Sequence, residues 1–340
     1  MKKALLFLSV MLTVGLIIVG VALCADPPQT FNLGTHPVGN LTNIGGTAVA
    51  AVVSKHAPLN IKVKAVAGPT TWLPMMGTNE IDFGLFVSAD AYPAYLGQGA
   101  YEKLSGGKGF PIRLVATGMV MSLATVVPGN SPAHKIPDLR GMKVCGRFAN
   151  VPSARIAQEA ALANGGLTWD DVKIVPVPHP GAAVKAVIEG RADAAWAAIG
   201  MPAVRELGAK KGARYLSIDT SPEALARKDK IHPYSFPVLV KGGTVPGADV
   251  DTWVMGTENY VVARADIPDD VVYEMNKALW NNLKELGTYH PNLKSWNQKT
   301  YVSRKLFIPY HPGSVKFLME NGLWSDELKA RQKELLGMKK

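Results

Sequence analysis

Cysteine is almost absent from this 340-residue chain: Cys24 and Cys145 are the whole complement. Neither a disulfide framework nor a Cys-rich zinc site is therefore available. Charge is sparse as well, at 19% of residues, and although the balance is +10, the Lys and Arg stand singly or in pairs. No basic run resembles a nucleic-acid footprint; scattered charges of this kind describe solvated faces, and the mild excess suits a small anionic partner. Catalytic motifs are missing too. Gly109 follows Gly107 and Lys108 where a phosphate loop needs Ser or Thr, no GxGxxG follows a strand, and neither GxSxG nor HExxH occurs. Five of the seven histidines, His36, His179, His232, His290 and His311, precede proline. That neighbour forces extended geometry and makes them poor members of a helical metal pair, so neither a metal nor a cofactor is expected. Cys145, at the end of an apolar strand, reads as a buried inert thiol. The pairs Asp170-Asp171 and Asp269-Asp270 read as helix starts. No constellation for catalysis is assembled, and a role other than an enzyme's is expected.

Long apolar runs are confined to the N-terminus. Lys2 and Lys3 precede an apolar stretch over Leu5 to Leu23, interrupted only by Ser9, Thr13 and glycines, and small residues follow at Cys24 and Ala25. The spacing predicts an export signal over residues 1–25, cut after Cys24 or Ala25. Two alternatives stand beside cleavage: a retained membrane anchor, since about 18 apolar residues just span a bilayer, and lipid attachment at Cys24, which Leu23 disfavours.

What remains is 47% hydrophobic over a length that suits two domains. From Phe31 onward, short apolar runs alternate with helical stretches, the pattern of βα units in a mainly parallel sheet. Strands are expected at Phe31 to Thr35, Ile61 to Val66, Asp82 to Val87, Arg113 to Met119 and Leu123 to Val127. A second series has strands beginning near Lys143, Val172 and Ala192. Helices fall between them, and long helices close the chain, the first over Asp269 to Leu286. MGTNEIDFGLF (Met76 to Phe86) and EGRADAAWAAIG (Glu189 to Gly200) echo each other: each runs from a helix end through Gly to an Asp, Asp82 or Asp193, that opens a strand. The echo predicts two similar α/β lobes, each with its own sheet. Lobe one takes residues 26–120 plus 238–340 and lobe two 121–237, with crossings near 120 and 237 and a ligand cleft between the lobes.

The turn after the first strand reads LGTHPVGNLTNIGG, Leu33 to Gly46, which resembles the opening loop of the TAXI family, the solute receptors of tripartite TRAP transporters. Thr35, Gly39 and Gly46 fall in register with its TGxTGGxYYPxGG pattern. Four further segments match in order: the stretch from GPTTWLP to AYPAYLG, IPDLRGMKVCGR, EGRADAAWAAIGMP, and GGTVPGADVDTW onward. The resemblance covers nearly all of Thr30 to Pro291. It implies a two-lobe periplasmic-binding-protein-like fold of type II, with a hinge and central cleft. It also implies a monomer that closes in the periplasm on a small organic anion and delivers it to TRAP membrane subunits, with no nucleic acid involved. An ABC-importer receptor of the thiamine-precursor or sulfonate type shares this architecture and stays open as an alternative; so does a secreted two-lobe enzyme.

Thr42 and Asn43 replace the family's Tyr pair, and GRFANVPSAR, Gly146 to Arg155, replaces its GxxGSGT anion loop. Characterised members take glutamate, related dicarboxylates and amino acids, and these changes point to a different carboxylate. The expected contacts are Thr35, His36, Asn40, Thr42 and Asn43 in the first loop, with Ser88 and Asp90 on lobe one. Arg147, Asn150 and Ser153 are expected on lobe two, with Trp72 and Trp196 as apolar walls or core packing. Asp90 reads as an acceptor for a ligand amine or hydroxyl or as a first-turn helix carboxylate. Arg147 reads as a planar fork for a carboxylate or as a surface arginine.

Overall fold

A computed structural model describes residues 28–303 and 305–338; the expected export signal lies outside them. The first unit runs β1 (Gln29–Thr35), α1 (Leu41–His56), β2 (Leu59–Ala65), α2 (Pro69–Gly77), β3 (Phe83–Val87), α3 (Ser88–Leu96) and β4 (Ile112–Pro128). The second runs β5 (Lys143–Gly146), α4 (Pro152–Asn164), β6 (Lys173–Pro176), α5 (Pro180–Ile188), β7 (Ala195–Ala198) and α6 (Pro202–Lys211). It continues through β8 (Ala213–Tyr215), α7 (Pro222–Ile231) and β9 (Phe236–Val240). The chain ends with β10 (Thr252–Arg264), α8 (Asp269–Asn281), α9 (Leu283–Tyr289), α10 (Pro312–Glu320) and α11 (Asp326–Gly337).

The two units repeat one plan at a constant shift along the chain. β1 pairs in parallel with β2 from Gln29 and Leu59, and β5 with β6 from Lys143 and Lys173. The N–H of Asn32 donates to the Asp82 carboxylate at 2.8 Å, and the N–H of Lys143 donates to Asp193 at 2.8 Å. Each Asp returns its own N–H to the carbonyl of the same partner. The echo in the sequence is thus the same strand-opening turn made twice, a short carboxylate satisfying a backbone donor that the sheet edge leaves free.

Each parallel set is closed by a long antiparallel strand. β10 pairs with β3 over Asn259 to Ala263, β4 pairs with β7 over Leu123 to Val126, and β4 and β10 pair with each other from Ile112–Arg264 to Leu123–Met255. This corrects one expectation. The strand expected as two pieces, Arg113 to Met119 and Leu123 to Val127, is one strand, and one eight-stranded ladder runs from β2 through β10 and β4 to β7, with β5 and β6 paired as a separate two-stranded sheet. β9 lies along Thr252 to Gly256 of β10, and the ladder between β10 and β4 slips between Glu258 and Tyr260. The helix expected over Asp269 to Leu286 breaks at Asn282, whose non-helical backbone (φ −124°, ψ 23°) ends α8. Cores on both sides are apolar, and Trp72 shows how tightly they close. Its ring meets Phe86 edge-on at 4.9 Å, and a Cβ on Gly84 would come within 2.3 Å of it.

Candidate functional site

The lobes meet along several contacts. Tyr234 of lobe two packs edge-on against Phe307 of lobe one, centroids 4.9 Å apart, and lies 5.9 Å from Tyr92. Gly68 faces the Asn150 carbonyl so closely that a Cβ would sit 2.1 Å from it, and the Asn292 amide donates to the Ile199 carbonyl at 2.7 Å. Between these contacts lies a cavity of about 50 Å³, several times the roughly 10–15 Å³ one water needs.

Five helices begin at its wall. Asn40, Leu41 and Thr42 open α1, Val87 precedes α3, Val151 and Ser153 open α4, Pro180 opens α5 and Met201 precedes α6. Three of the five have proline in their first turn, where its missing N–H costs nothing. A helix start leaves N–H groups without partners and carries a partial positive charge. The wall therefore carries the partial positive ends of helix dipoles, and no charged side chain among the described residues lines it. The remaining wall is apolar, with Leu41, Val87, Met121, Leu123, Val151, Ala154, Ala157, Trp196, Ala198 and Met201. Such a wall excludes water and strengthens whatever polar contact forms there.

The loop that delivers α1 is pinned from within. The Thr35 hydroxyl donates to the His36 carbonyl at 3.1 Å and accepts from the Asn43 amide at 3.0 Å. Asn40 spends its side chain on the Pro37 carbonyl at 2.9 Å, so it does not cap the helix it precedes. Thr42 is 4% exposed, and neither its hydroxyl nor its N–H has a partner among the described residues. Above it, His36 and His232 line the cavity with unpartnered Nδ1 atoms. Burial pushes both imidazoles down to about 4, helped for His36 by His179 and for His232 by Lys228. They are neutral near pH 7 and act as hydrogen-bonding groups, not cations.

The matching start of α4 is filled. Asp90 comes from α3 across the lobe boundary; one carboxylate oxygen accepts from the Ser153 N–H at 3.0 Å and from the Tyr101 hydroxyl at 2.6 Å, and the other accepts from the Ser153 hydroxyl. Burial raises the Asp90 carboxyl to about 6 against the opposing pull of these hydrogen bonds. Asp90 does not reach the cavity wall, so its oxygens serve α4 and Tyr101, not a ligand amine.

Of the residues expected from sequence, His36, Asn40, Thr42, Ser153 and Trp196 line the cavity. Thr35, Asn43, Ser88 and Asp90 are buried just behind it; Ser88 shares a hydrogen bond of 3.2 Å with the wall residue Thr257. Trp72 belongs to the core of lobe one, and Asn150 gives its carbonyl to the Gly68 contact. Arg147 is exposed, off the wall, on left-handed backbone at φ 65°, with buried Phe148 after it at φ 26°. The expected guanidinium fork is therefore not in this cavity. Met121, Leu123, His232 and Thr257 were not foreseen; His232 stands at the C-cap of α7, next to Pro233. Cys145 is buried with its thiol pushed up to about 12 by desolvation, an unreactive state.

The NMT1-like family model matches residues 33–322 of the chain. Among solved structures, MatC from Rhodopseudomonas palustris with bound malate is 15% identical at a TM-score of 0.57, covering 91% of this chain and 99% of its own. PhnD1 from Prochlorococcus marinus in complex with methylphosphonate is 12% identical at 0.51, covering 87% and 100%. The ligand-binding component of an ABC-type import system from Staphylococcus aureus, with zinc bound, is 11% identical at 0.51, covering 87% and 93%. These likenesses are of fold, the two-lobe arrangement of periplasmic binding proteins.

Proposed function

This chain belongs to the NMT1-like family, and from that premise we propose that it is an extracytoplasmic solute receptor of a membrane importer, which closes its lobes on one small organic anion and releases it unchanged. The observation that carries the reading is the convergence of five helix starts from both lobes on one apolar cavity. Such a site offers N–H donors and positive dipole ends without a cation. A ligand that touches both lobes favours the closed arrangement, because only differential affinity shifts a conformational equilibrium.

Two membrane partners fit. The order of five sequence motifs supports TRAP subunits, and the fold likeness to an ABC-type component supports an ABC importer. A neighbouring gene for a many-span permease without an ATPase favours the first, and one for an ATPase the second.

Native mass spectrometry of freshly purified protein tests the receptor reading, with a carried anion as the expected result. A thermal-shift screen of carboxylic acids then seeks a strong hit recovered chemically intact. A ligand at one hundred times its Kd adds about 2.7 kcal/mol to the folded state. Consumption of the hit would make the protein an enzyme and overturn the reading.

A further inference from the structure

Thr42 and Ser153 occupy the same place in the repeated plan. Each is the second residue of a helix that follows the first strand of its unit, and each lines the cavity. Each presents a backbone N–H and a hydroxyl side by side, the donor pair that a carboxylate accepts with its two oxygens. At Ser153 that pairing exists: both oxygens of Asp90 are engaged by the serine, and Tyr101 completes the set. At Thr42, 4% exposed, the same donor pair has no partner among the described residues, and His36, 5% exposed, lines the cavity with an Nδ1 that is likewise unpartnered among them.

Resting on the receptor reading above, we propose that Asp90 is a specificity-determining residue that permanently occupies the anion seat of lobe two, leaving one free seat at Thr42. The ligand is then a small monocarboxylate with an apolar body. Its carboxylate accepts from the N–H and hydroxyl of Thr42, and its remainder lies against Met121, Leu123, Trp196 and Met201. A second carboxylate on the ligand meets an apolar wall and the charge of Asp90 behind Ser153. Burying an unpaired carboxylate there is unfavourable, and the diacid is rejected.

Isothermal titration of the full chain with chain-matched acids tests this, using butanoate against butanedioate and pentanoate against pentanedioate. The wild type is expected to bind each monoacid about tenfold tighter than its diacid, the size of one charge-assisted hydrogen bond set. Asp90→Ala empties the second seat and should raise diacid affinity about tenfold, closing the gap. Thr42→Val keeps the shape, removes the hydroxyl and should weaken monoacid binding about tenfold; with the wild-type ratio it decides the matter should Asp90→Ala fail to fold. Equal affinity of the wild type for the two series overturns the proposal, as does no diacid gain in a folded Asp90→Ala protein, an unchanged Thr42→Val protein, or no uptake of either series. A carried solute of other chemistry in native mass spectrometry then leaves the receptor reading standing, whereas a protein that carries and binds nothing loses both.

Discussion

The starts of α1 and α4 share a backbone plan and differ in occupancy. α4 meets a carboxylate from the other lobe, and α1 faces the cavity with donors that have no partner among the described residues. The same local geometry is structural on one side and available for binding on the other. The difference lies in what the opposite lobe sends across: α3 delivers Asp90 to Ser153, whereas at the equivalent point after β7 the chain places Met201. A repeated unit acquires a binding role where its partner unit withholds a side chain.

The sharpest way to break this contrast is Asp90→Ala. It leaves the Ser153 N–H and hydroxyl and the Tyr101 hydroxyl without their acceptor in a buried place, where each unmet group costs about 1–3 kcal/mol. A loss of about 2–4 kcal/mol in urea unfolding is expected after partial relaxation, and a loss under about 0.5 kcal/mol would show that the filled seat holds nothing together. Thr42→Val tests the open side: stability should stay within about 0.5 kcal/mol of wild type, because no folded-state partner is lost.

Titration sharpens the comparison next. His36 and His232 sit at about 4 in the folded chain against 6.5 for a free histidine. Between those values the unfolded chain holds more protons, and stability climbs with pH. Asp90 runs the other way, at about 6 folded against 3.8 free, so the folded chain holds more protons and stability falls as pH rises across that interval. Burial also lowers His179, His290 and His311, so the groups that make stability climb outnumber Asp90 and a net climb is expected from about pH 4 to 6.5. His232→Gln should flatten it and Asp90→Asn should steepen it, both read from urea midpoints across the interval. A net fall in the wild type would contradict the burial of the two imidazoles.

A smaller asymmetry separates the strand-opening carboxylates. Asp82 also lies 3.3 Å from Arg264, each side chain 13% exposed, whereas Asp193 has no ion pair among the described residues. Asp82→Asn should therefore cost about 0.5–1 kcal/mol more than Asp193→Asn in the same assay. Equal costs would mean that the turn bond alone matters. The smallest effect is expected at Arg147: exposed and off the wall, its change to Ala should leave ligand affinity within about twofold of wild type. A tenfold loss by calorimetry would bring its guanidinium back into the site.

Much of this was legible in the chain because strand, loop and helix alternate with clear punctuation. The loop from Thr35 to Asn43 and the helix start at Ser153 stood out as polar residues between an apolar strand and an apolar helix, and both reach the cavity or its backing. The rest was hidden for physical reasons. β4 looked like two strands because its halves serve different lobes, and nothing local marks a strand that crosses a hinge. Met121, Leu123 and Thr257 lie on such crossing strands, where alternation does not reveal which face meets the cavity. Arg147 drew attention as a cation near an anion site, but on the left-handed backbone of this turn Phe148 is buried and Arg147 is exposed.

The crossing strands also govern the order in which the molecule is completed. A chain emerging from its N-terminus can assemble β1, β2 and β3 early, but the exposed side of β3 and the inner side of β4 both wait for β10. Pairing over so long a separation in sequence is slow, because loop closure must be accomplished before the contact contributes. A nascent chain ending before residue 252 carries two unsatisfied sheet edges, one in each lobe, so the last strand to be synthesised finishes both at once.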